Sequence, residues 1–143
     1  MTTIAWDGKT LAADKRFTIG GCAATGTKIF HLEDLLVGFS GSAAQAMEML
    51  AWLEAGEDPE EFPASQRDAD DAVAVLVVRK GGWIDVYERT PFPMRIEDKF
   101  YAMGSGRDYA LAAMHLGKTA REAVEVSCVF EVDCGNGIDE LKL

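Results

Sequence analysis

The first fourteen residues constrain this chain most, and Thr2 above all. The chain opens Met1-Thr2-Thr3-Ile4-Ala5-Trp6, followed by Asp7-Gly8 and then Thr10 to Asp14. Two short alternating patterns flank Asp7-Gly8, a dipeptide suited to a two-residue hairpin turn. In the first, Ile4 and Trp6 alternate with Thr3 and Ala5; in the second, Leu11 and Ala13 alternate with Thr10, Ala12 and Asp14. Such a hairpin pins into a sheet a terminus that would otherwise fray. With Met1 removed, the sheet begins at a threonine that carries both a hydroxyl and a free α-amine. That combination is a nucleophile with a base on the same residue.

Composition narrows the alternatives. A chain of 143 residues predicts one domain over 1–143, with a core large enough to need no disulfide or metal. The net charge of −10 argues against a nucleic-acid partner. No apolar run reaches membrane-spanning length, and the first residues lack the basic-then-apolar pattern of a secretion signal. Cytoplasmic residence is the resulting expectation. Cys22, Cys128 and Cys134 are odd in number, without metal-type spacing, and fit reduced, small core-like residues.

Further along, Thr27 to Leu32 reads as a strand with Lys28, Phe30 and Leu32 on one face, and Leu35 to Phe39 as the next. A helix follows from Ser42 to a stop at Gly56, with Ala43, Ala46, Met47, Leu50 and Ala51 as its apolar stripe. Residues 57–71 are acidic, contain Pro59 and Pro63 and show no period, so they read as a surface loop with at most one helical turn. Ala72 to Val78 is a buried central strand, paired through Lys80-Gly81-Gly82 with Trp83 to Tyr87. Phe100 to Met103 is a short strand leading into Gly104-Ser105-Gly106. A helix over 107–116 follows, with Tyr109, Ala113 and Leu116 on one side. Thr119 to Glu122 has capping-box spacing and opens a helix to about Cys128; residues 130–139 read as a strand and turn with a polar tip. Strands, one helix, strands, two helices and a strand make an α+β arrangement of hairpins, not βαβ units.

Two motif matches fail on inspection. The stretch from Gly21 to Lys28 has the wrong Thr–Lys order for a phosphate-binding loop and precedes a strand, not a helix. Gly38-Phe39-Ser40-Gly41-Ser42 lacks the last glycine of a nucleophile elbow, and nothing puts His31 or His115 beside Ser40. Lys28 is ambiguous: on pattern alone a snorkelling strand-end lysine is the default, whereas a buried one would want a carboxylate. Asp14 could equally be a plain strand end.

Taken together, Thr2-Thr3-Ile4, Leu11-Ala12-Ala13-Asp14-Lys15-Arg16, Lys28-Ile29, Val37-Gly38-Phe39-Ser40-Gly41 and the run Ala102 to Ala110 resemble the proteasome β-subunit family. The likeness extends to its bacterial two-component relative, the peptidase that works with an ATP-driven unfoldase, and points to a short bacterial or phage-type member. It covers nearly the whole chain. The resemblance implies the N-terminal nucleophile hydrolase fold, a four-layer α-β-β-α sandwich of two antiparallel sheets. Residues 57–71 replace a second long helix that packs between subunits and rings in that family, so the helical layer is truncated after its first helix. It implies Thr2 as nucleophile after Met1 removal, with its α-amine, of reference pKa about 7.7–8.0, as base. Lys28, compensated by Asp14, would favour the threonine alkoxide; the Gly41 amide would receive the oxyanion. Ser105 would hydrogen-bond the amine, and Asp133 would support Ser105. With Met1 as the first residue, the expectation is that activation would need only methionine removal.

The leading expectation is therefore a threonine endopeptidase in a homo-oligomeric ring, cleaving peptides or unfolded proteins, with an ATP-dependent unfoldase as a possible partner. The resemblance implies no metal or organic cofactor, and no nucleic-acid or membrane partner is expected. Two other readings compete. A small-molecule amidase with the same nucleophile would be a monomer or small oligomer that cleaves no peptides. A non-catalytic ring subunit would retain Met1 and have no chemical need for Thr2, Asp14, Lys28 and Ser105 together.

Overall fold

In a computed structural model describing residues 1–143, the N-terminal pattern becomes two antiparallel strands, β1 (Ile4–Trp6) and β2 (Thr10–Asp14). The turn sits one residue later than the sequence suggests. Gly8 and Lys9 are its central pair, because the Asp7 carboxylate accepts from both the Lys9 and Thr10 amides and holds Asp7 as a flank. The chain continues through β3 (Arg16–Ile19), β4 (Cys22–Thr25), β5 (Ile29–Leu32), β6 (Leu35–Ser40) and α1 (Ala43–Glu54). A 3-10 turn (Pro59–Glu61) and α2 (Ala64–Asp68) follow. Then come β7 (Ala74–Arg79), β8 (Trp83–Tyr87), β9 (Met94–Ile96), β10 (Tyr101–Met103), α3 (Arg107–His115), α4 (Ala120–Phe130) and β11 (Ile138–Lys142).

Two antiparallel sheets result, ordered β10-β1-β2-β11 and β5-β6-β7-β8-β9, with β3-β4 as a separate hairpin. Strand alternation sorts the apolar residues into three layers. Ile4, Trp6, Leu11 and Ala13 of the first sheet meet Ile29, Leu36, Leu76, Val78, Ile84 and Val86 of the second between the sheets. The intervening Val37, Phe39, Val75 and Val77 face the other way, onto Ala46, Met49, Trp52 and Leu53 of α1. Ala5, Ala12 and Ala102 face Ala110, Ala113, Ala123 and Val124 of α3 and α4. The expected α-β-β-α sandwich of antiparallel sheets is what the chain forms, and α2 and the 3-10 turn fill out the layer that α1 begins. No helix is long and apolar enough to cross a membrane.

Local signals behave unevenly. Ser42 caps α1, and Thr119 with Glu122 forms the complete capping box of α4. The apolar faces of two helices are rotated from the expected ones. In α1 the buried residues are Ala46, Met49, Leu50, Trp52 and Leu53, with Ala43, Met47 and Ala51 exposed. The face with the larger side chains wins, since burial gain scales with apolar area. In α3 it is Ala110, Ala113 and Met114 that are buried, while Tyr109 and Leu116 are exposed. The alanine layer opposite lets that helix approach closely. The 130–139 stretch also shifts: residues 131–137 are turn and loop, with Asn136 at φ 62, and the strand begins only at Ile138. The β3, β4 and β9 strands lie in stretches to which the sequence assigns no element.

Gly38 governs how closely the sheets approach. A Cβ there would lie 3.1 Å from Ile4 Cδ1 and Cγ2 and 3.2 Å from Ile29 Cγ2. Gly38→Val should overpack this contact and cost about 1–3 kcal/mol. Urea unfolding checks this: the midpoint falls at constant slope.

Candidate active site

Thr2, Asp14, Lys28 and Ser105 come from four separate places in the chain, and strand pairing in one sheet with packing of the other against it brings them together. β1 lies between β10 and β2, so the residues just before β1 are flanked by the end of β2 and the start of the loop after β10. The Asp14 amide donates to the Thr3 carbonyl, 3.2 Å, and the Gly106 amide to the Thr2 carbonyl, 3.1 Å. The Gly104-Ser105-Gly106 turn can approach this closely only because it lacks side chains at both ends. A Cβ on Gly104, at φ +95, would run into the Thr2 carbonyl, and one on Gly106 would strike Thr3 Oγ1.

Lys28 stands at the threshold of β5, and its carbonyl accepts from the Phe39 amide, 3.2 Å. Its side chain does not snorkel: it is 1% exposed. Nζ donates to Asp14 Oδ1 at 2.9 Å, Thr2 Oγ1 at 3.2 Å and the Met1 carbonyl at 3.0 Å. It also lies 5.2 Å from the centre of the Phe17 ring. Asp14 is fully buried and is no plain strand end. Besides Lys28, its Oδ1 accepts from the Thr3 amide, 3.0 Å, and its Oδ2 from the amides of Arg16, 3.2 Å, and Gly135, 3.1 Å. Two carboxylate oxygens with four donors hold a full negative charge without water.

Thr2 is buried to 7% exposure. Its amide donates to Ser105 Oγ at 3.1 Å, and the Met1 amine also contacts that oxygen. Gly41, exposed and at φ +126, shares with Met1, Thr2, Arg16, Phe17, Thr18 and Ser40 a cleft of about 200 Å³. A second cavity of about 380 Å³ runs past Ser40, Gly104, Ser105 and Arg107. A third, about 280 Å³, is lined by Glu33, Asp34, Glu54 and Glu57 and contains none of the candidate groups.

Thus Thr2, Asp14, Lys28 and Ser105 form one hydrogen-bonded cluster, and Gly41 lines the same cleft as Thr2. Asp133 does not join them. It is half-buried, and its one hydrogen bond runs from its backbone N–H to Glu131 Oε1, 3.3 Å. The neighbouring Cys134 instead reaches the cluster, with Sγ 3.1 Å from Thr3 Oγ1. Burial pushes the Cys134 thiol up, and pushes Cys128 up to about 11, so neither competes with Thr2 as a thiolate at neutral pH. Phe17, Cys134 and Gly135 support the cluster without a motif to announce them, as does Thr3 from within the first motif. The loop 132–137 also fixes the β3-β4 hairpin over the cleft, through Arg16 to the Val132 carbonyl, 2.7 Å, and to Asn136 Oδ1, 3.0 Å.

The ion pair sets a measurable order of costs. Asp14→Ala leaves a buried ammonium without a counter-charge and three amides without an acceptor, a loss of about 3–5 kcal/mol. Lys28→Met leaves the carboxylate its three amide donors and should cost clearly less. Paired urea titrations test this, and equal or reversed costs would refute it.

No protein-family model and no curated protein matches the chain. Among solved structures, it resembles Thiobacillus denitrificans BPH at 22% identity and TM-score 0.75, over 99% of this chain and 96% of that one. The same protein in complex with epoxomicin matches at 21% identity and TM-score 0.69, over 99% of this chain and 97% of that one. Eukaryotic HslV from Trypanosoma brucei matches at 20% identity and TM-score 0.72, over the full length of both chains. The chain therefore has the fold of HslV and BPH, the α-β-β-α architecture that its sequence motifs suggest.

Proposed function

We propose that the chain is a threonine-type endopeptidase with Thr2 as its N-terminal nucleophile once Met1 is removed. One observation carries the reading: Thr2 Oγ1 lies 3.2 Å from the ammonium of a fully buried lysine that Asp14 holds in place. A cation there stabilises the alkoxide relative to the alcohol. In the Met1-bearing chain the Thr2 nitrogen is an amide and cannot act as a base, so hydrolysis of the Met1–Thr2 bond must come first.

The freed α-amine takes the Oγ1 proton as Oγ1 attacks the scissile carbonyl carbon. The carbonyl π electrons move onto oxygen, and the Gly41 N–H receives the developing charge. Collapse expels the leaving amine, which takes the proton from the α-ammonium and leaves an ester on Thr2. Water, deprotonated by the same amine, cleaves that ester and releases the acid. Ser105 orients the amine through the contact it already makes with the Thr2 nitrogen. Asp133 receives no role.

We further infer a homo-oligomeric ring of single-domain subunits in the cytoplasm, acting on peptides or unfolded proteins, with an ATP-dependent unfoldase for folded ones. The exposed Tyr109, Val129, Phe130 and Val132 support self-association.

The test is the intact mass before and after a peptide epoxyketone, an electrophile that the hydroxyl and amine of one threonine can attack together. The BPH complex with epoxomicin supports that choice of probe. The expected result is loss of one methionine and a single adduct mapping to Thr2. Thr2→Ala should give no adduct and lose on the order of 10³-fold or more in peptide hydrolysis. A retained Met1 with no adduct would overturn the proposal.

A further inference from the structure

Apart from Lys28, the largest fully buried polar side chain is Gln66, at 0% exposure. It lies on α2, within the acidic 57–71 stretch where the resembled family carries a long helix. Its Nε2 donates to the carbonyls of Val73 and Glu88, and its Oε1 accepts from the Val73 amide at 3.1 Å. Gln66 thus grips Val73 by both backbone groups, as a neighbouring strand would, just ahead of β7. Through Glu88 it also ties Val73 to the chain leaving β8.

Val73 is itself fully buried and lies directly beneath Gly41. A Cβ on Gly41 would be 3.1 Å from Val73 Cγ2 and 3.3 Å from Val73 Cα. The next residues continue the support, since Ser40 pairs with Ala74 across β6 and β7. Gly41 adopts a backbone conformation that glycine tolerates freely, so the residue has no side chain or φ preference to hold its own orientation. The floor must do so.

We propose that Gln66 is a positioning residue for the Gly41 N–H: by fixing Val73 at both its amide and its carbonyl, it sets the aim of the oxyanion donor. This rests on the reading of Gly41 given above. The short α2 thereby does more than close the surface left by a missing helix. It links the outer helical layer to the cleft through one side chain and one residue of floor.

Gln66→Met keeps an unbranched chain of similar length and removes all three hydrogen bonds. Gln66→Glu keeps the acceptor for the Val73 amide and loses both donations, and serves if the methionine variant fails to fold. Two inhibitors of one peptide sequence are compared on the Met1-processed protein. A peptide aldehyde forms a tetrahedral adduct whose oxygen needs the Gly41 N–H; the matching peptide amide binds without reacting. The variant should weaken aldehyde inhibition by about 10- to 100-fold, below the ~10²–10³ of losing a donor outright, with amide binding unchanged. Hydrogen exchange of the peptides spanning 38–42 and 73–76 should rise together in the same variant, with no change at β1.

Equal weakening of both inhibitors, or no weakening of either, would overturn the proposal. If the unsubstituted protein is not inhibited by the aldehyde, it is the peptidase reading that fails. Hydrogen exchange then decides the Gln66–Gly41 coupling alone: joint loosening upholds it, and loosening confined to 73–76 refutes it.

Discussion

The buried pair of Lys28 and Asp14 is the interaction on which the rest of the site depends. Two charges at 1% and 0% side-chain exposure are a liability unless every donor and acceptor is used. Both are. Asp14 takes three backbone amides from the residue before β1, the start of β3 and the loop before β11, so one carboxylate binds three segments around Lys28. The arrangement makes poor sense as a stabilising device alone, because an apolar pair of similar volume is often as stable or more so. It makes sense if a fixed cation is needed beside Thr2 Oγ1.

The second constraint is that the segment carrying Thr2 lies in the interior. β1 is central in its sheet, between β10 and β2, so the segment before it is gripped from both sides. That explains why glycines occur at 104 and 106: the turn after β10 must approach the Thr2 backbone within hydrogen-bonding range. It also explains Gly38, where the other sheet must clear Ile4. Small residues here set the distances at which polar groups meet.

How much of this the sequence discloses varies with how local the cause is. Caps and tight turns are local, and Ser42, Thr119 with Glu122 and Gly81-Gly82 can be read directly. Layering is nearly as legible, since alternation along β6 and β7 separates the two faces. Helix faces are less so, because α1 offers two overlapping apolar stripes and only the packing partner chooses. The convergence of Thr2, Asp14, Lys28 and Ser105 has no signal in spacing; motif order suggests it, and pairing of β1 with β2 and β10, with the β5 sheet packed against them, produces it. Gln66 lies in a stretch with no period and Cys134 in one that reads as a strand and turn, and the contacts of both come from what the fold packs against them. Asp133 is the opposite case, a carboxylate at a suggestive position whose side chain makes no hydrogen bond within the chain.

The Met1-bearing chain shows what removal of that residue changes. A lysine ammonium has three N–H donors. In Lys28 one goes to Asp14, one to Thr2 Oγ1 and one to the Met1 carbonyl. Met1 therefore does two things to the cluster: it locks the Thr2 nitrogen in an amide and it consumes a lysine donor. Hydrolysis of the Met1–Thr2 bond reverses both at once. The nitrogen becomes a free amine beside Ser105 Oγ, and the third lysine donor loses its partner. On the reading of Thr2 proposed above, a single bond cleavage thus makes the base and at the same time frees one lysine donor beside Oγ1.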